Sequence, residues 1–141
     1  EMQRSLVGSE MCIRDRDHMG KVARHEGASL VLEQAKKLSE NLPIIVTGDF
    51  NAVPSDEPIQ VLINPSDPRH LTHSRTIAGF TYGPEWTFHD FGKIPYDKRE
   101  WIDYIFVKGN IKVLRHGVLT ETLNNLFPSD HCPVISTLIL E

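Results

Sequence analysis

Apolar residues recur at a helical period over residues 19–40, with charged residues between them. This spacing predicts an amphipathic helix, which Asn41 and Pro43 would end. The apolar stripe comprises Ala23, Gly27, Leu30, Val31, Gln34, Ala35 and Leu38. A short run of β-branched residues follows directly at 44–47 and predicts a buried strand. A helix joined so closely to a strand is the unit of an α/β layered fold.

The rest of the pattern predicts one short helix and three strands. Pro54 to Pro58 supply a cap residue, acids and an early proline, which indicate a short helix through Leu62. Residues 101–107, 111–120 and 134–140 are rich in β-branched, aromatic or other apolar residues, as strands are. Lys108-Gly109-Asn110 predicts a hairpin between the first two of these strands. Residues 64–69 predict a loop, and residues 70–96 show no regular period.

Composition narrows the class of protein. The 141 residues are 40% hydrophobic and 24% charged, which is typical of one globular domain with its own core. A net charge of −4 argues against broad electrostatic binding to nucleic acid. The apolar runs are too short to cross a bilayer, and no secretory signal pattern is present. Cys12 and Cys132 form no spacing pattern of a disulfide framework or a zinc site.

The first candidate site is Gly48-Asp49-Phe50-Asn51, at the end of the strand predicted at 44–47. In extended geometry Asp49 and Asn51 point to one side and Phe50 points to the core. A carboxylate that accepts a proton or holds a cation, beside an amide that donates hydrogen bonds, suits phosphate chemistry. The alternative is an ordinary turn, closed by a side-chain to backbone hydrogen bond from Asn51.

A second candidate is Asp103, an acid inside the strand predicted at 101–107. If it faces the interior it needs a partner, because an isolated buried charge costs several kcal/mol. The alternative is that Asp103 faces solvent on the open side of the sheet. Asp130-His131, before the last strand, supplies a carboxylate that can bind metal and a titratable imidazole. With Asp103 as its partner, His131 would form an acid-histidine pair.

The irregular segment at 70–96 interleaves glycines and prolines with aromatic residues. Such a loop can form a substrate wall, since rings stack on a base or sugar, or it can be ordinary packing. The two interpretations are evenly balanced for Trp86 and Phe88, and function is favoured for His89. Residues 1–16 have no clean period and differ from the rest. We expect them to be non-native or unstructured, the alternative being a short native segment.

Three motifs together carry a family resemblance: Gly48-Asp49-Phe50-Asn51, Trp101-Ile102-Asp103-Tyr104-Ile105-Phe106 and Ser129-Asp130-His131-Cys132-Pro133-Val134. In this order they resemble the C-terminal half of the endonuclease/exonuclease/phosphatase superfamily, the DNase I-like metal-dependent phosphohydrolases. The resemblance covers residues 17–141. It implies part of a four-layer α/β sandwich, two packed mixed sheets flanked by helices, truncated on the N-terminal side. We expect each half of that fold to contribute one sheet.

The resemblance also implies roles. Asp49 would position or deprotonate the attacking water, and Asn51 would hydrogen-bond the phosphate. His131, oriented by Asp103, would contact phosphate oxygens, and Asp130 would help to hold Mg²⁺ or Mn²⁺. His18 follows the position of a family strand that ends in a Thr-His pair, and we expect His18 and His89 to bind substrate.

Two hypotheses for function follow from these expectations. The first is a metal-dependent phosphodiesterase or nuclease whose activity is impaired because the other half of the family fold has no counterpart here. Its substrate would be a phosphoester, whether nucleic acid, nucleotide, sugar phosphate or lipid headgroup. The second hypothesis is a non-catalytic α/β module that binds a phosphorylated partner or another protein chain.

Overall fold

The computed structural model describes residues 18–40 and 42–140. Residues 1–16, for which we expect no native structure, lie outside that part. The helices are α1 (His18–Ser39), α2 (Glu57–Ile63) and α3 (Ser74–Ile77), with short 3₁₀ turns at Asp90–Gly92 and Tyr96–Lys98. The strands are β1 (Ile44–Asp49), β2 (Thr72–His73), β3 (Phe80–Tyr82), β4 (Asp103–Lys108), β5 (Ile111–Val118) and β6 (Val134–Leu140). The predicted long helix, short helix and four strands are therefore confirmed, with small shifts at their ends.

The strands form two three-stranded sheets within the described residues. In the first, β4 lies at the centre and pairs antiparallel with β1 and with β2. In the second, β5 lies at the centre, parallel to β3 and antiparallel to β6. The expectation that this half contributes a single sheet is wrong, because it contributes three strands to each of two sheets. The α/β class is confirmed.

The predicted hairpin between β4 and β5 does not form. Both edges of β4 are already occupied, by β1 and β2, so the chain crosses to the second sheet after Lys108. Gly109 makes this crossing with φ +93°, a conformation that other residues seldom adopt, and a Cβ added there would come close to Pro43. The turn chemistry was identified correctly, but it connects two sheets and not two neighbouring strands.

The segment at 70–96 is more ordered than the sequence pattern indicates. It contains β2, α3 and β3, and none of these is longer than four residues. Leu71, fully buried before β2, donates its backbone N–H to the carbonyl of Leu62 at the end of α2. Elements this short leave no period to detect, so only the sheets' pairing defines them.

The core joins α1 and α2 to the first sheet. Ala28 and Leu32 of α1 and Leu62 of α2 are buried in the same cluster as Phe106 of β4. Phe50, just after β1, makes edge contacts with the rings of Tyr104 and Phe106 at centroid distances of 5.6 and 5.3 Å. This packing fixes the ends of β1 and β4. No helix among the described residues has the length and apolar composition needed to cross a bilayer.

Candidate active site

Two carboxylates meet where β1 ends and β4 begins. Asp49 is the last residue of β1 and Asp103 the first of β4, and the antiparallel register places them directly opposite each other. Directly opposed residues project to the same face of a sheet. The backbone N–H of Phe50 donates to the carbonyl of Ile102 at 2.8 Å, which continues the pairing one step past the strands. Two acids that repel each other therefore lie side by side at one end of the β1–β4 pair.

Asn51 lies against Asp49, in a geometry that differs from the extended one expected. Asn51 adopts φ +48°, so the chain turns sharply after Phe50. Its backbone N–H donates to Asp49 Oδ1 at 2.8 Å, and its side-chain Nδ2 donates to Oδ2 at 3.1 Å. The turn that was the alternative interpretation is present, although the Asp49 carboxylate closes it. Asp49 and Asn51 are nevertheless held together, and Phe50 is buried as predicted.

The acid-histidine pair inferred from the sequence is present. Nδ1 of His131 lies 2.8 Å from Oδ2 of Asp103, and the two side chains are only 26% and 19% exposed. A carboxylate only accepts hydrogen bonds, so Nδ1 carries the proton and Nε2 is left for other partners. The backbone N–H of His131 donates to Ser129 Oγ at 3.2 Å, a contact that sequence reasoning missed. A serine two residues before a histidine is too common to signal this role.

Burial and charge raise the pKa of Asp49. The larger cause is desolvation of its carboxyl, and the negative charge of Asp103 acts in the same direction. The hydrogen bonds from Asn51 and the nearby His131 oppose the increase but do not cancel it. A carboxyl with a raised pKa is a stronger base than an exposed one.

The same residues fit a divalent cation. Ligand atoms of Asp49, Asp103 and His131 all lie within 4.8 Å of one another. Asp49 and Asp103 lie opposite each other and bring two negative charges together, which a cation would offset. The two carboxylates suit hard metals such as Mg²⁺ and Mn²⁺. The imidazole is a ligand more typical of a transition metal.

Asp130, expected to hold metal, is not part of that three-residue group. Its carboxylate accepts a hydrogen bond from Ser129 Oγ at 3.3 Å. Its backbone carbonyl accepts the N–H groups of His89 and Asp90, at 3.0 and 3.2 Å. Its role as a metal ligand stays a prediction.

His89 is fully buried beside this segment. Gly92 N–H donates to its Nδ1 at 3.0 Å, so the ring proton lies on Nε2, which is buried without a partner among the described residues. Burial is the main cause that lowers the pKa of His89, and the charge of Arg99 adds to it. The ring of Phe127 packs on His89 at 4.1 Å. His89 therefore contacts the site through the backbone of Asp130.

The other sequence-predicted residues divide between contact and packing. The ring of Phe88 packs on His131 at a centroid distance of 4.9 Å, whereas Trp86 packs against His89 and under the guanidinium of Arg99. The sequence did not single out Arg99. His18 begins α1, but its side chain lies outside the part of the chain that the structure describes.

The two sheets and the helices match about half of a known fold. The family model described as "Endonuclease/Exonuclease/phosphatase family" matches residues 14–131, and the chain belongs to that family. Members of this family are metal-dependent phosphohydrolases.

Two solved structures show the likeness. An endonuclease/exonuclease/phosphatase from Bacteroides vulgatus is 32% identical with a TM-score of 0.80, over 89% of this chain and 47% of that one. A mannosyl-6-phosphatase from Bacteroides thetaiotaomicron is 34% identical with a TM-score of 0.75, over 88% of this chain and 48% of its own. Protein angel of Drosophila melanogaster is 31% identical over an alignment of 72 residues, and the match covers 43% of this chain and 20% of angel. The chain thus spans about half the length of the solved structures that it matches.

Proposed function

We propose that this chain carries part of the active site of a divalent-metal-dependent phosphoester hydrolase that acts by in-line attack of an activated water. The observation that carries the proposal is the Asp103–His131 pair, which faces Asp49 where β1 and β4 meet. Residues 17–141 would be the C-terminal half of the catalytic domain, in keeping with the 47% coverage of a solved family member.

Three side chains would do the chemistry. Asp49, whose pKa is raised, would orient the water and accept its proton. His131 would present Nε2 to the phosphate oxygens, because Asp103 holds Nδ1 and fixes the ring. An imidazolium in that position donates a hydrogen bond to the negative charge that grows in the transition state.

Asn51 would add a neutral donor. One N–H of its Nδ2 is directed to Asp49 at 3.1 Å, and the second remains for a phosphate oxygen. The pair of bonds to Asp49 restricts the amide, so little freedom is lost when substrate binds. His18 would contribute to the substrate wall, and the fully buried His89 would support that wall through the backbone of Asp130.

The carboxylate of Asp103, and that of Asp130 as predicted, would hold the metal close to Asp49, which is left to accept the proton. A bound Mg²⁺ or Mn²⁺ would supply positive charge that stabilises the phosphoryl oxygens. The substrate is a phosphoester. The likeness to a mannosyl-6-phosphatase favours a sugar phosphate as the first monoester to assay, beside a diester for the phosphodiesterase hypothesis.

Hydrolysis of mannose 6-phosphate and of bis(p-nitrophenyl) phosphate by the full chain tests the proposal, with Mg²⁺, with Mn²⁺ and with a chelator. We expect weak, metal-dependent turnover, because the other half of the family fold has no counterpart here. It should fall about 100-fold or more in His131→Ala, the usual effect of losing a donor to the transition-state charge. His25→Ala is the matched control, because His25 lies on α1 beside Glu57.

Turnover that survives chelation, or that His131→Ala leaves intact, would contradict the proposal. A folded chain without turnover that still binds inorganic phosphate would favour the alternative, a non-catalytic phosphate-binding module.

A further inference from the structure

A buried threonine is hydrogen-bonded to the backbone that carries Asp103. Thr87 is fully buried in the loop between β3 and β4. Its Oγ1 accepts the backbone N–H groups of Ile102 and Asp103, each at 3.1 Å. Ile102 is the last residue before β4, and Asp103 is the first residue of β4. The hydroxyl therefore takes the place of a backbone acceptor at the point where β4 begins.

The backbone of Thr87 binds both sides of the site. Its carbonyl accepts the N–H of Cys132, next to His131, at 2.7 Å. Its own N–H donates to the carbonyl of Glu100 at 2.9 Å. The next residue, Phe88, pairs through its backbone with Glu100 and with His131. Thr87 is thus connected to the segment before Asp103 and to the segment around His131.

The two catalytic candidates depend on such a connection. Asp103 belongs to a strand of the first sheet, whereas His131 precedes β6 of the second. Among the described strands, none of the first sheet pairs with one of the second, so strand pairing does not set the 2.8 Å distance from Oδ2 of Asp103 to Nδ1 of His131. A small relative displacement of the two segments would break that hydrogen bond.

We propose that Thr87 is a positioning residue, which holds the Asp103 carboxylate against the His131 imidazole through its hydroxyl. The part of this inference that concerns catalysis rests on the proposed function. The geometric part does not, because the hydrogen bond it maintains can be measured in the absence of turnover. A residue that only fills space would be replaceable by an apolar side chain of the same shape.

The test is Thr87→Val in the full chain, which keeps the shape and removes the hydroxyl. Proton NMR follows the Nδ1–H resonance of His131 and hydrogen exchange of the Asp103 amide. We expect the Nδ1–H resonance to be lost or shifted upfield, and exchange at Asp103 to quicken by about tenfold or more. Thr87→Ser, which keeps the hydroxyl, should retain both signals. Thr137→Val, an exposed threonine of β6, is the control.

Each outcome decides between positioning and packing. A folded Thr87→Val with an unchanged resonance and unchanged exchange would overturn the proposal. If Thr87→Val does not fold, Thr87→Ala removes the hydroxyl without putting a methyl group in its place. A resonance lost equally in Thr87→Ala and Thr87→Ser would then show that the methyl group matters and would overturn it too.

The kinetic arm separates this inference from the proposed function. Loss of the resonance in a chain with no hydrolase activity would uphold positioning and refute the function. In an active chain, we expect Thr87→Val to lower kcat with little change in KM, and Thr87→Ser to restore it. An active Thr87→Val with the wild-type kcat would refute positioning and leave the function standing.

Discussion

Acid should destabilise this protein through two buried histidines, His73 of β2 and His116 of β5. Their rings lie 5.5 Å apart, and His116 is fully buried. Nδ1 of His116 contacts the hydroxyls of Ser74 and Ser136, at 2.8 and 2.9 Å. Nε2 of each histidine is buried without a partner among the described residues. In the part of the chain that the structure describes, no carboxylate raises the pKa of either ring, so a positive charge there would not be stabilised.

Burial lowers the pKa of both histidines from 6.5 to about 4. The charge of Arg75 acts in the same direction on both. The unfolded chain binds protons at the ordinary pKa, so it takes up protons first as the pH falls. The stability that the neutral rings provide is complete above pH 6.5 and is lost as the pH falls to about 4.

The size of the loss follows from the shift. Each pKa unit corresponds to about 1.4 kcal/mol, so the fully buried His116 contributes roughly 3 kcal/mol. His73 is partly exposed and adds a smaller amount, because solvent reduces the cost of its charge. Domains of this size are stable by about 5–15 kcal/mol, so the loss is a large part of the total.

Urea unfolding followed by far-UV circular dichroism at pH 7, 6, 5 and 4.5 measures this loss. His73→Phe keeps an aromatic ring in the cluster and removes one titrating group, so its stability should fall less steeply with acid. The reasoning is refuted if the midpoint for the wild-type chain is the same at pH 7 and pH 4.5. It is also refuted if His73→Phe retains the whole pH dependence.

Two further predictions concern backbone contacts. Tyr104→Phe removes a buried hydroxyl that donates to the carbonyls of Ala52 at 2.8 Å and Trp101 at 3.2 Å, and should cost about 1–3 kcal/mol in urea unfolding; an unchanged midpoint would contradict this. Gly83→Ala should cost about 3 kcal/mol or more, since Gly83 has φ +82° and a methyl group would collide with the backbone of Val118. A Gly83→Ala chain with the wild-type melting temperature would refute that prediction.

Long periodic segments could be predicted from the sequence, and short ones could not. The helix α1 and the strands β1 and β6 extend over enough residues to show a period. The stripe predicted for α1 is nevertheless wrong about the buried face, since Leu30 and Leu38 are exposed whereas Ala28 and Leu32 are buried. β2 and β3 are two and three residues long and exist only because β4 and β5 pair with them. Which sheet β5 joins depends on whether the edges of β4 are free, and no local pattern contains that information.

Within the site, the sequence revealed charges more readily than backbone geometry. An acid inside a strand needs a partner, and this requirement predicted the contact between Asp103 and His131. Asn51 adopts a left-handed conformation in which its backbone N–H donates to the Asp49 carboxylate. The argument from an extended chain missed this turn. Thr87 gave no signal, because a threonine in an aromatic-rich loop is unremarkable until its hydroxyl is seen on the N–H of Asp103.

The edge of β1 that does not face β4 affects which further residues could join the candidate site. Among the described residues, β1 pairs only with β4, so the N–H and C=O groups along its other side are available to template another strand. Any strand that adds there would align its residues, one by one, with the six of β1. The residue that comes into register with Asp49 would become a new neighbour of the candidate site. Strand addition at this edge would therefore change which residues surround Asp49.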